Sequence, residues 1–360
     1  MWKRIVSKLK GTFTAATVSK PRVEPIISAR IPIEDREKAA AAESLNDAIR
    51  ELSTGQHRII AFSPKSVLSD WKEKSPSALS LANLEELATA YFEGVNIEQN
   101  REKSVELWRE AMARGSIESK YSYASCLREG LGTIKSVEES YRLMIELAEE
   151  NNYSAAHYNL GIMLTSGEGL TSGPDLEAAF KHFSKAAHLG VMQALLPLAD
   201  AYATGKGVAR DDYKAAILYS GAAQGGDPIA KFTLGVWCNT GRHATDKEGN
   251  IGQPDREKGF SLQLDAANMG HPLAAFNVGC AYLSGEQGVK VNYDKAVEYF
   301  QIAVDKKMPA AMVNLGKMYQ QGLGVNQDIL KARNIYSLGA SIDPICKELT
   351  EELDMRIKEN

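Results

Sequence analysis

Small residues inside apolar runs recur along the chain at a period of about 36 residues. In each run a bulky residue follows the small one after three positions, and a glycine follows after three more. The small residues are Ala88, Ala124, Gly161, Ala199, Gly235, Gly279 and Gly316. The glycines that follow them are Gly94, Gly130, Gly167, Gly205, Gly241, Gly285 and Gly322. A fixed period of this length is typical of repeat proteins, in which each repeat is one supersecondary unit.

The first half of each repeat has the pattern of an amphipathic helix. In residues 156–167, apolar or small side chains are separated by three, four or five positions, which favours a helix over the strict alternation of a strand. We expect the small residue to let a neighbouring helix approach closely. The glycine is expected to end the helix, because glycine adopts the left-handed conformation at the least cost.

The second half of each repeat predicts another helix. Acidic residues stand near its start, where they can cap the helix or favour its first turn: Asp175, Asp212, Asp255, Asp294 and Asp328. Its inner face pairs a small residue with a bulky one, as in Ala179 and Phe183. Because a helix pair of this size cannot bury its apolar face alone, the pairs must stack. The sequence therefore predicts an all-α fold, a right-handed α-solenoid of about seven helix-turn-helix repeats over residues 79–343.

The pattern resembles that of Sel-1-like repeats, which are close relatives of tetratricopeptide repeats. Residues 156–190 match the family pattern nearly position by position, and the repeats at 192–226, 272–307 and 309–343 match it almost as well. The second and fifth repeats depart from it, the fifth through a polar insertion at residues 242–254. That insertion is either a tolerated surface loop or a binding element. The resemblance implies a superhelix that holds other proteins.

Asparagine recurs two positions before the small residue of the first helix, at Asn159, Asn277 and Asn314. In the similar tetratricopeptide repeats, an asparagine at this position faces the concave groove and binds the backbone of a peptide. A carboxamide both donates and accepts, so it can hold an extended ligand whatever its side chains. The alternative is that these asparagines bond the adjacent repeat and stabilise the stack. The remaining repeats have other residues there: Glu86, Ser122, Pro197 and Thr233.

Residues 1–33 differ from the repeats in composition. They hold seven basic residues against a single acid, Glu24, together with hydroxyl side chains and an apolar series at roughly helical spacing. This composition is typical of a mitochondrial transit peptide. The alternatives are a disordered basic tail and an amphipathic helix that contacts a membrane surface. We accordingly expect a mitochondrial location, with a cytoplasmic one as the alternative.

Two further segments flank the repeats. Residues 34–78 predict a helix followed by a polar linker, because alanine and charged residues give way to a stretch with two prolines. Residues 344–360 predict a C-terminal helix with one apolar edge and a charged remainder, the pattern of a helix that caps a stack of repeats.

Charge and cysteine content narrow the classes of partner and cofactor. The 360 residues carry a formal net charge of −4 with no basic stripe, which argues against nucleic acid as a partner. The four cysteines and the histidines show no metal-ligand spacing, so we expect buried free thiols and no metal site. No apolar run approaches the length of about 18 residues that suggests a membrane-spanning helix. We predict no cofactor and no transmembrane segment.

No constellation of catalytic residues can be assigned. The Gly-x-Gly loops recur with the period of the repeats and follow no strand, so we interpret them as turns rather than phosphate loops. No Ser-x-x-Lys nucleophile is offered either. We predict a non-enzymatic scaffold or adaptor that binds a partner protein or peptide, in mitochondrial assembly or stress signalling. The alternatives are a membrane-associated regulatory subunit that activates an enzyme complex and, as a third class, a hydrolase.

Overall fold

The computed structural model describes residues 65–359, so the basic leader and most of the segment predicted as helix plus linker lie outside the described residues. The chain divides into two units, the first ending at Arg210 and the second beginning at Asp211. Within residues 65–359 the regular structure consists of α-helices and three short 3-10 helices, without a strand. The prediction of an all-α fold is confirmed.

The described part of the first unit contains eight α-helices, numbered in chain order. They are α1 (Lys65–Lys72), α2 (Leu81–Glu93), α3 (Arg101–Ala113), α4 (Ile117–Glu129), α5 (Val137–Glu149), α6 (Ser154–Ser166), α7 (Leu176–His188) and α8 (Leu195–Thr204). Short 3-10 helices, Pro76–Ala78 and Met192–Ala194, precede α2 and α8. The pairs α2/α3, α4/α5 and α6/α7 are the first three repeats, and consecutive helices pack against each other. Helix α8 begins the fourth repeat.

The described part of the second unit contains eight more helices. They are α9 (Asp212–Gln224), α10 (Pro228–Thr240), α11 (Arg256–Asn268), α12 (Pro272–Ser284), α13 (Tyr293–Asp305), α14 (Pro309–Gln321), α15 (Ile329–Gly339) and α16 (Pro344–Glu359). Helix α9 completes the fourth repeat, and the pairs α10/α11, α12/α13 and α14/α15 are the fifth to seventh. Helix α16 packs against both α14 and α15. In chain order, α2 to α15 are therefore the first and second helices of seven successive repeats.

A glycine in the left-handed conformation ends each first helix, as predicted. The φ angles of these seven C-cap glycines lie between 70° and 77°. In the first repeat the N–H of Gly94 and the N–H of Val95 both donate to the carbonyl of Ala90, which satisfies groups that the helix end leaves free. A side chain would be strained at this φ, so glycine is required at the turn.

The acidic residues predicted near the start of the second helices lie at positions where they stabilise the N-terminal ends of these helices. Asp175, Asp255 and Asp328 are N-caps, and the side chain of each accepts a hydrogen bond from the backbone N–H three residues on. Asp212 and Asp294 lie in the first turn instead, behind other N-cap residues. Both placements put negative charge at the positive end of the helix dipole.

In three repeats the small residue of the first helix is a glycine on which an aromatic ring of the second helix packs. A β-carbon added to any of three such glycines would lie 2.2–2.8 Å from the facing ring, closer than real contacts allow. The facing pairs are Gly161 with Phe183, Gly279 with Phe300, and Gly316 with Tyr336. The predicted close approach of the two helices is confirmed, and it explains why the position tolerates no side chain in these repeats.

The first two repeats join their helices differently. There the small residue is alanine, and a buried serine of the second helix bonds to the backbone of the first. Ser104 Oγ donates to the carbonyl of Ala88 at 2.7 Å, and Ser140 Oγ donates to that of Ala124 at the same distance. The repeat period is thus kept while the chemistry of the contact changes from ring packing to a hydrogen bond.

The insertion of the fifth repeat is held by one arginine. Arg242 donates two hydrogen bonds to the carboxylate of Asp212, at 2.6 and 2.8 Å, and its guanidinium lies 3.8 Å from the ring centre of Trp237. Further along, the carboxylate of Asp246 accepts from the backbone N–H and the side chain of Asn250, closing a turn. The loop therefore has a defined conformation.

Residues 65–72 correct the prediction of a polar linker, because they form helix α1. Leu68 is fully buried, Trp71 is partly buried, and α1 packs against α2. The two prolines of this stretch, Pro64 and Pro76, flank the helix and do not interrupt it. One buried leucine with a tryptophan three residues on is enough to give a short helix a packed face.

Helix α16 buries part of the edge that its sequence suggested, since Leu353 is fully buried and Leu349 packs against the core. Cys346, Thr350 and Leu353 are buried, and the Cys346 thiol lies near the position that a β-carbon on Gly339 would take. Ile345, expected on the apolar edge, is 56% exposed. The packed face therefore adds Cys346 and Thr350 to the predicted Leu349 and Leu353, and Ile345 is left exposed.

Candidate functional site

The three predicted asparagines lie on a surface that recurs in every repeat. We call the position two residues before the small residue the row. The front face of a first helix consists of four residues. They are the row residue and the residues four positions before it, three positions after it and seven positions after it. None of the front-face residues is buried, in either unit. The seven row residues are Glu86, Ser122, Asn159, Pro197, Thr233, Asn277 and Asn314.

Asn159 is half-buried in α6 and bonds to the preceding repeat. Its Nδ2 donates to the hydroxyl of Tyr121 in α4 at 2.8 Å and approaches the carbonyl of Ala155 at 3.3 Å. Tyr121 in turn packs on the ring of Tyr153, with ring centres 5.2 Å apart. The carboxamide therefore joins the third repeat to the second through a tyrosine side chain.

Asn277 and Asn314 make corresponding contacts in the second unit. The Nδ2 of Asn277 donates at 2.9 Å to the Oε1 of Gln263, which is 1% exposed and takes the aromatic position of the fifth repeat. The Nδ2 of Asn314 faces the thiol of Cys280 in α12 at 3.8 Å, a weak acceptor. In both cases the partner belongs to the preceding repeat.

In these contacts each asparagine bonds to the adjacent repeat, as the alternative of a stabilised stack describes. The bonded groups of the neighbour are side chains rather than helix ends. Within residues 65–359 the Oδ1 of each asparagine accepts no hydrogen bond. Each carboxamide can therefore donate to its neighbour and still accept from another molecule. Peptide contact by the asparagines stays a prediction.

A cavity of about 330 Å³ opens on the front face within the first unit. It lies among the end of α6, the first half of α7 and helix α8. Phe183 and Ala179 are its buried floor, and the row residue Pro197 is part of its wall. The remaining lining residues are Thr165, Leu176, Phe180, Asp200, Ala201, Thr204 and Lys206. A largely apolar hollow of this size suits a large side chain of another molecule.

The front faces of the two units differ in charge. In the first unit, α2, α4, α6 and α8 carry no lysine or arginine at front-face positions, and they carry five acidic residues: Glu86, Glu93, Glu118, Glu129 and Asp200. In the second unit, α10, α12 and α14 carry no acidic residue there and one basic residue, Lys317. Exposed apolar residues take part of that face instead, among them Ile229, Val236 and Leu273.

Two histidines that no sequence motif connects meet in the third repeat. The Nδ1 atoms of His157 in α6 and His182 in α7 are 3.0 Å apart, so one ring donates and the other accepts. His157 is 7% exposed, and burial, together with repulsion from His182 and Lys185, lowers its pKa to about 4. Burial also lowers the pKa of His182, although Glu149 acts in the opposite direction. The pair is therefore neutral at physiological pH.

The contact between the two histidines could have been predicted from their positions relative to Gly161 and Phe183. His157 lies four residues before Gly161, and His182 directly precedes Phe183, which packs on that glycine. The corresponding residues of the seventh repeat, Met312 and Ile335, are both buried. The histidines thus take core positions, which a search for metal-ligand spacing along the sequence does not detect.

The cysteines lie apart from one another as free thiols. Cys126, Cys238 and Cys346 are buried and Cys280 is partly buried. Burial raises the pKa of Cys126 and that of Cys238 to about 11, which keeps both thiols protonated. In the described part of the chain no group of three or more histidine, cysteine or acidic side chains is arranged to hold a metal ion. None of the helices between residues 65 and 359 is both long and apolar enough to cross a bilayer.

Comparison with known proteins agrees with this architecture. The family model described as Sel1 repeat matches six segments that together cover more than half of the chain. They are residues 84–116, 117–152, 154–191, 193–227, 272–307 and 309–343. The gap between the fourth and fifth of these falls on the repeat with the insertion.

Two curated relatives match parts of the chain. The chitin synthase regulator SKT5 of Saccharomyces cerevisiae is 25% identical over 273 residues, which are 64% of this chain and 38% of that protein. The DAP3-binding cell death enhancer 1 of Rattus norvegicus is 25% identical over 175 residues, 49% of this chain and 32% of that protein. The chain therefore spans less than two fifths of the length of either relative.

A solved structure supports the fold over nearly the whole length. The crystal structure of a Sel1 repeat protein from Oxalobacter formigenes matches with a TM-score of 0.63 at 22% identity, covering 96% of this chain and 99% of that one. The predicted fold class, an α-solenoid of helix-turn-helix repeats, is confirmed. Six matched repeats and the shared fold show that the chain belongs to the Sel1 repeat family, whose repeats mediate protein–protein interactions.

Proposed function

We propose that the protein is a non-enzymatic adaptor that binds a segment of a partner protein on the front face of its first helices. The observation that carries the proposal is the cavity of about 330 Å³ on that face in the first unit. Its walls come from three helices of two successive repeats, so the stacking of repeats creates it. Phe180, Phe183 and Leu176 offer apolar surface to an incoming side chain.

The chemistry of the cavity supports binding rather than catalysis. No histidine or cysteine lines it, and its polar residues are two threonines, Asp200 and Lys206 at the rim. General acid–base or nucleophilic catalysis needs a base within hydrogen-bond reach of a nucleophile and an orienting group behind that base. The lining residues offer an apolar anchor site with polar edges, as binding pockets commonly do.

A regulatory subunit of an enzyme complex is the second candidate. The observation that favours it is the match to SKT5, a protein whose name describes it as a regulator of chitin synthase. The front face would then bind the enzyme itself, and the partner recovered with this protein would have catalytic activity. The two candidates share a binding surface and differ in what the bound protein does.

Mitochondrial targeting is part of the proposal and concerns residues 1–33. Its support is the composition of that segment, with seven basic residues, one acid and an apolar series at helical spacing. Fused to a fluorescent reporter, residues 1–33 should carry it to mitochondria, and changing Lys3, Arg4, Lys8 and Lys10 to glutamate should abolish this. A diffuse cytosolic signal from the unchanged leader would contradict it.

The binding proposal is tested by filling the cavity. Ala201 lines the cavity and is partly buried, so Ala201→Phe should occupy the space that the partner needs. Ala113→Phe, at an exposed position near the end of α3, is the matched control. The tagged full chain and both variants are purified from cells, and bound proteins are identified by mass spectrometry. We expect partners to be retained by the control and lost from A201F, with circular dichroism unchanged; identical partner sets would exclude this cavity.

A further inference from the structure

The cavity and the acidic front face of the first unit together point to the chemistry of the bound segment. This inference rests on the proposed adaptor function and extends it. We propose that the first unit binds an extended basic segment of its partner protein. One large apolar side chain of that segment enters the cavity, and lysine or arginine residues five or more positions along the segment lie over α4 and α2.

The cavity sets the apolar part of this motif. Its floor and walls are Phe183, Phe180, Leu176 and Pro197, with Ala179 and Ala201 between them. Burying apolar area of a side chain against these residues is favourable in proportion to the area removed from water. A charged group on the apolar floor would lose its hydration, because the charged lining residues, Asp200 and Lys206, are exposed at the rim. A phenylalanine, leucine or methionine side chain therefore fits, and a lysine or glutamate does not.

The residues along the front face set the charged part. Thr204 takes the front-face position seven residues after the row residue of α8. The same position is taken by Ser166 in α6, Glu129 in α4 and Glu93 in α2. Glu93 and Glu129 are exposed. Arg128, which precedes Glu129 in α4, is bonded to Glu168 at 2.8 Å and lies 3.9 Å from Glu129, so its charge is largely compensated by Glu168. A basic segment is the complement of this surface.

Helix spacing gives the distance between the two parts. Packed helices lie about 8–10 Å apart, so α4 and α8, with α6 between them, are separated by about 16–20 Å. An extended chain advances about 3.3 Å per residue, which places Glu129 five or six residues from the anchor. Lys206 lies on the cavity rim, so the lysine or arginine residues of the segment are placed over α4 and α2 rather than next to the anchor.

Three labelled peptides test the motif on the full chain by fluorescence anisotropy. The first has phenylalanine at its centre, lysine pairs five and six residues to either side, and serine elsewhere, so either chain direction can be used. The second replaces the lysines with glutamate, and the third replaces the phenylalanine with alanine. We expect the first to bind at least about tenfold more tightly than either of the others. Its advantage over the glutamate peptide should shrink as salt is raised from about 0.05 M to about 0.5 M.

Two charge-reversal variants locate the effect. E93K/E129K should remove the preference for lysine, whereas E106K, at an exposed position of the second helix α3, should keep it. Equal affinity for the lysine and glutamate peptides, no binding of any of the three, or an unchanged preference in E93K/E129K would overturn the inference. If A201F still loses its cellular partners in such a case, the adaptor function stands and only the basic motif is discarded.

Discussion

The two units are built from the same kind of repeat and differ in the residues that the first helices expose. In both, a left-handed glycine ends each first helix and a small residue receives the second helix. In the first unit, the front face carries five acidic residues and an open apolar cavity. In the second, that face carries carboxamides, hydroxyls and exposed aliphatic residues such as Ile229 and Leu273. The interior positions thus specify the fold, and the exposed positions are free to acquire different binding chemistry.

The interiors differ as well, and this difference predicts the largest effects of substitution. In repeats six and seven, an aromatic ring of the second helix packs on a glycine of the first helix. In repeats one and two, a serine hydroxyl of the second helix donates to a backbone carbonyl of the first helix. Burial of a whole aromatic side chain contributes several times more free energy than one hydrogen bond does. The second unit should therefore depend more strongly on single side chains than the start of the first unit does.

Phe300→Ala is expected to cause the largest loss of stability. Phe300 has no exposed surface, packs on Gly279, and faces the ring of Phe276 with ring centres 5.9 Å apart. Removing the ring leaves a cavity that the rigid helix pair cannot close, at a cost of about 3–5 kcal/mol in the free energy of unfolding. Hydrogen exchange should increase throughout α12 and α13.

Ser140→Ala is the matched change in the first unit. It removes one hydrogen bond to a carbonyl that also accepts within its own helix, so we expect a loss of about 0.5–1.5 kcal/mol. Exchange in α4 and α5 should rise only slightly. Equal losses for Phe300→Ala and Ser140→Ala would show that the two kinds of contact are energetically equivalent, contrary to the proposed difference between the units.

The histidine pair predicts a dependence on pH confined to the first unit. The pKa of His157 falls to about 4 in the folded state, so the unfolded chain binds more protons below pH 6.5. The neutral pair's contribution to stability is therefore fully present above pH 6.5 and is lost as the pH falls towards 4. Between pH 6.5 and pH 5 the loss should be about 2 kcal/mol, because one pKa unit corresponds to about 1.4 kcal/mol.

The seventh repeat supplies the control for this experiment. His157→Met with His182→Ile installs the residues found at the corresponding positions, Met312 and Ile335, where no titration is possible. The melting temperature of the wild type should fall relative to this variant between pH 7.5 and pH 5. Parallel curves for the two proteins would show that the histidines keep the same pKa when the chain unfolds.

Asp212→Asn should release the insertion of the fifth repeat, which is a feature of the second unit. The change removes the charge from a partly buried pair in which Arg242 donates twice to Asp212. We expect a loss of about 1.5–3 kcal/mol, as for hydrogen bonds to charged groups, and faster trypsin cleavage at Lys247 in the loop. Exposed Glu257→Gln, in the first turn of α11, is a control that should leave the cleavage rate unchanged.

The repeat pattern made the fold predictable because each of its signals has a local physical cause. Glycine at Gly94 and its equivalents follows from the left-handed C-cap, and glycine at Gly161 follows from the ring of Phe183. These constraints recur at every period, so a single sequence contains seven copies of the evidence. Helix α1 lies outside the period, and its one buried leucine was too short a pattern to distinguish from a linker.

The candidate site was less predictable because it depends on contacts between elements. Nothing in the local sequence of Asn159 shows that its Nδ2 donates to Tyr121, 38 residues earlier. The cavity likewise arises where α6, α7 and α8 leave space, a property of backbone spacing rather than of any motif. Residue type indicated that the row is polar in several repeats, and only the packing shows which polar atoms already have a partner.

Substitution of the row asparagines should change stability no more than Ser140→Ala does. Each of Asn159→Ala and Asn277→Ala removes one hydrogen bond to the preceding repeat and should cost about 0.5–1.5 kcal/mol. Asn314→Ala should cost less, because its acceptor is a thiol at 3.8 Å. Thermal melting of the three single variants should therefore rank Asn314→Ala as the mildest.

Peptide binding distinguishes the asparagine of the first unit from those of the second. Asn159 is on the first unit's front face, in the helix next to the cavity, whereas Asn277 and Asn314 are on the second unit's front face. We expect N159A to weaken binding of the lysine-flanked phenylalanine peptide, because it removes an Oδ1 that is available to a peptide N–H. N277A/N314A should lose more stability and bind as the wild type does. If N159A melts early and binds normally, its carboxamide serves only to join repeats, and the peptide contact is excluded for the one asparagine best placed to make it.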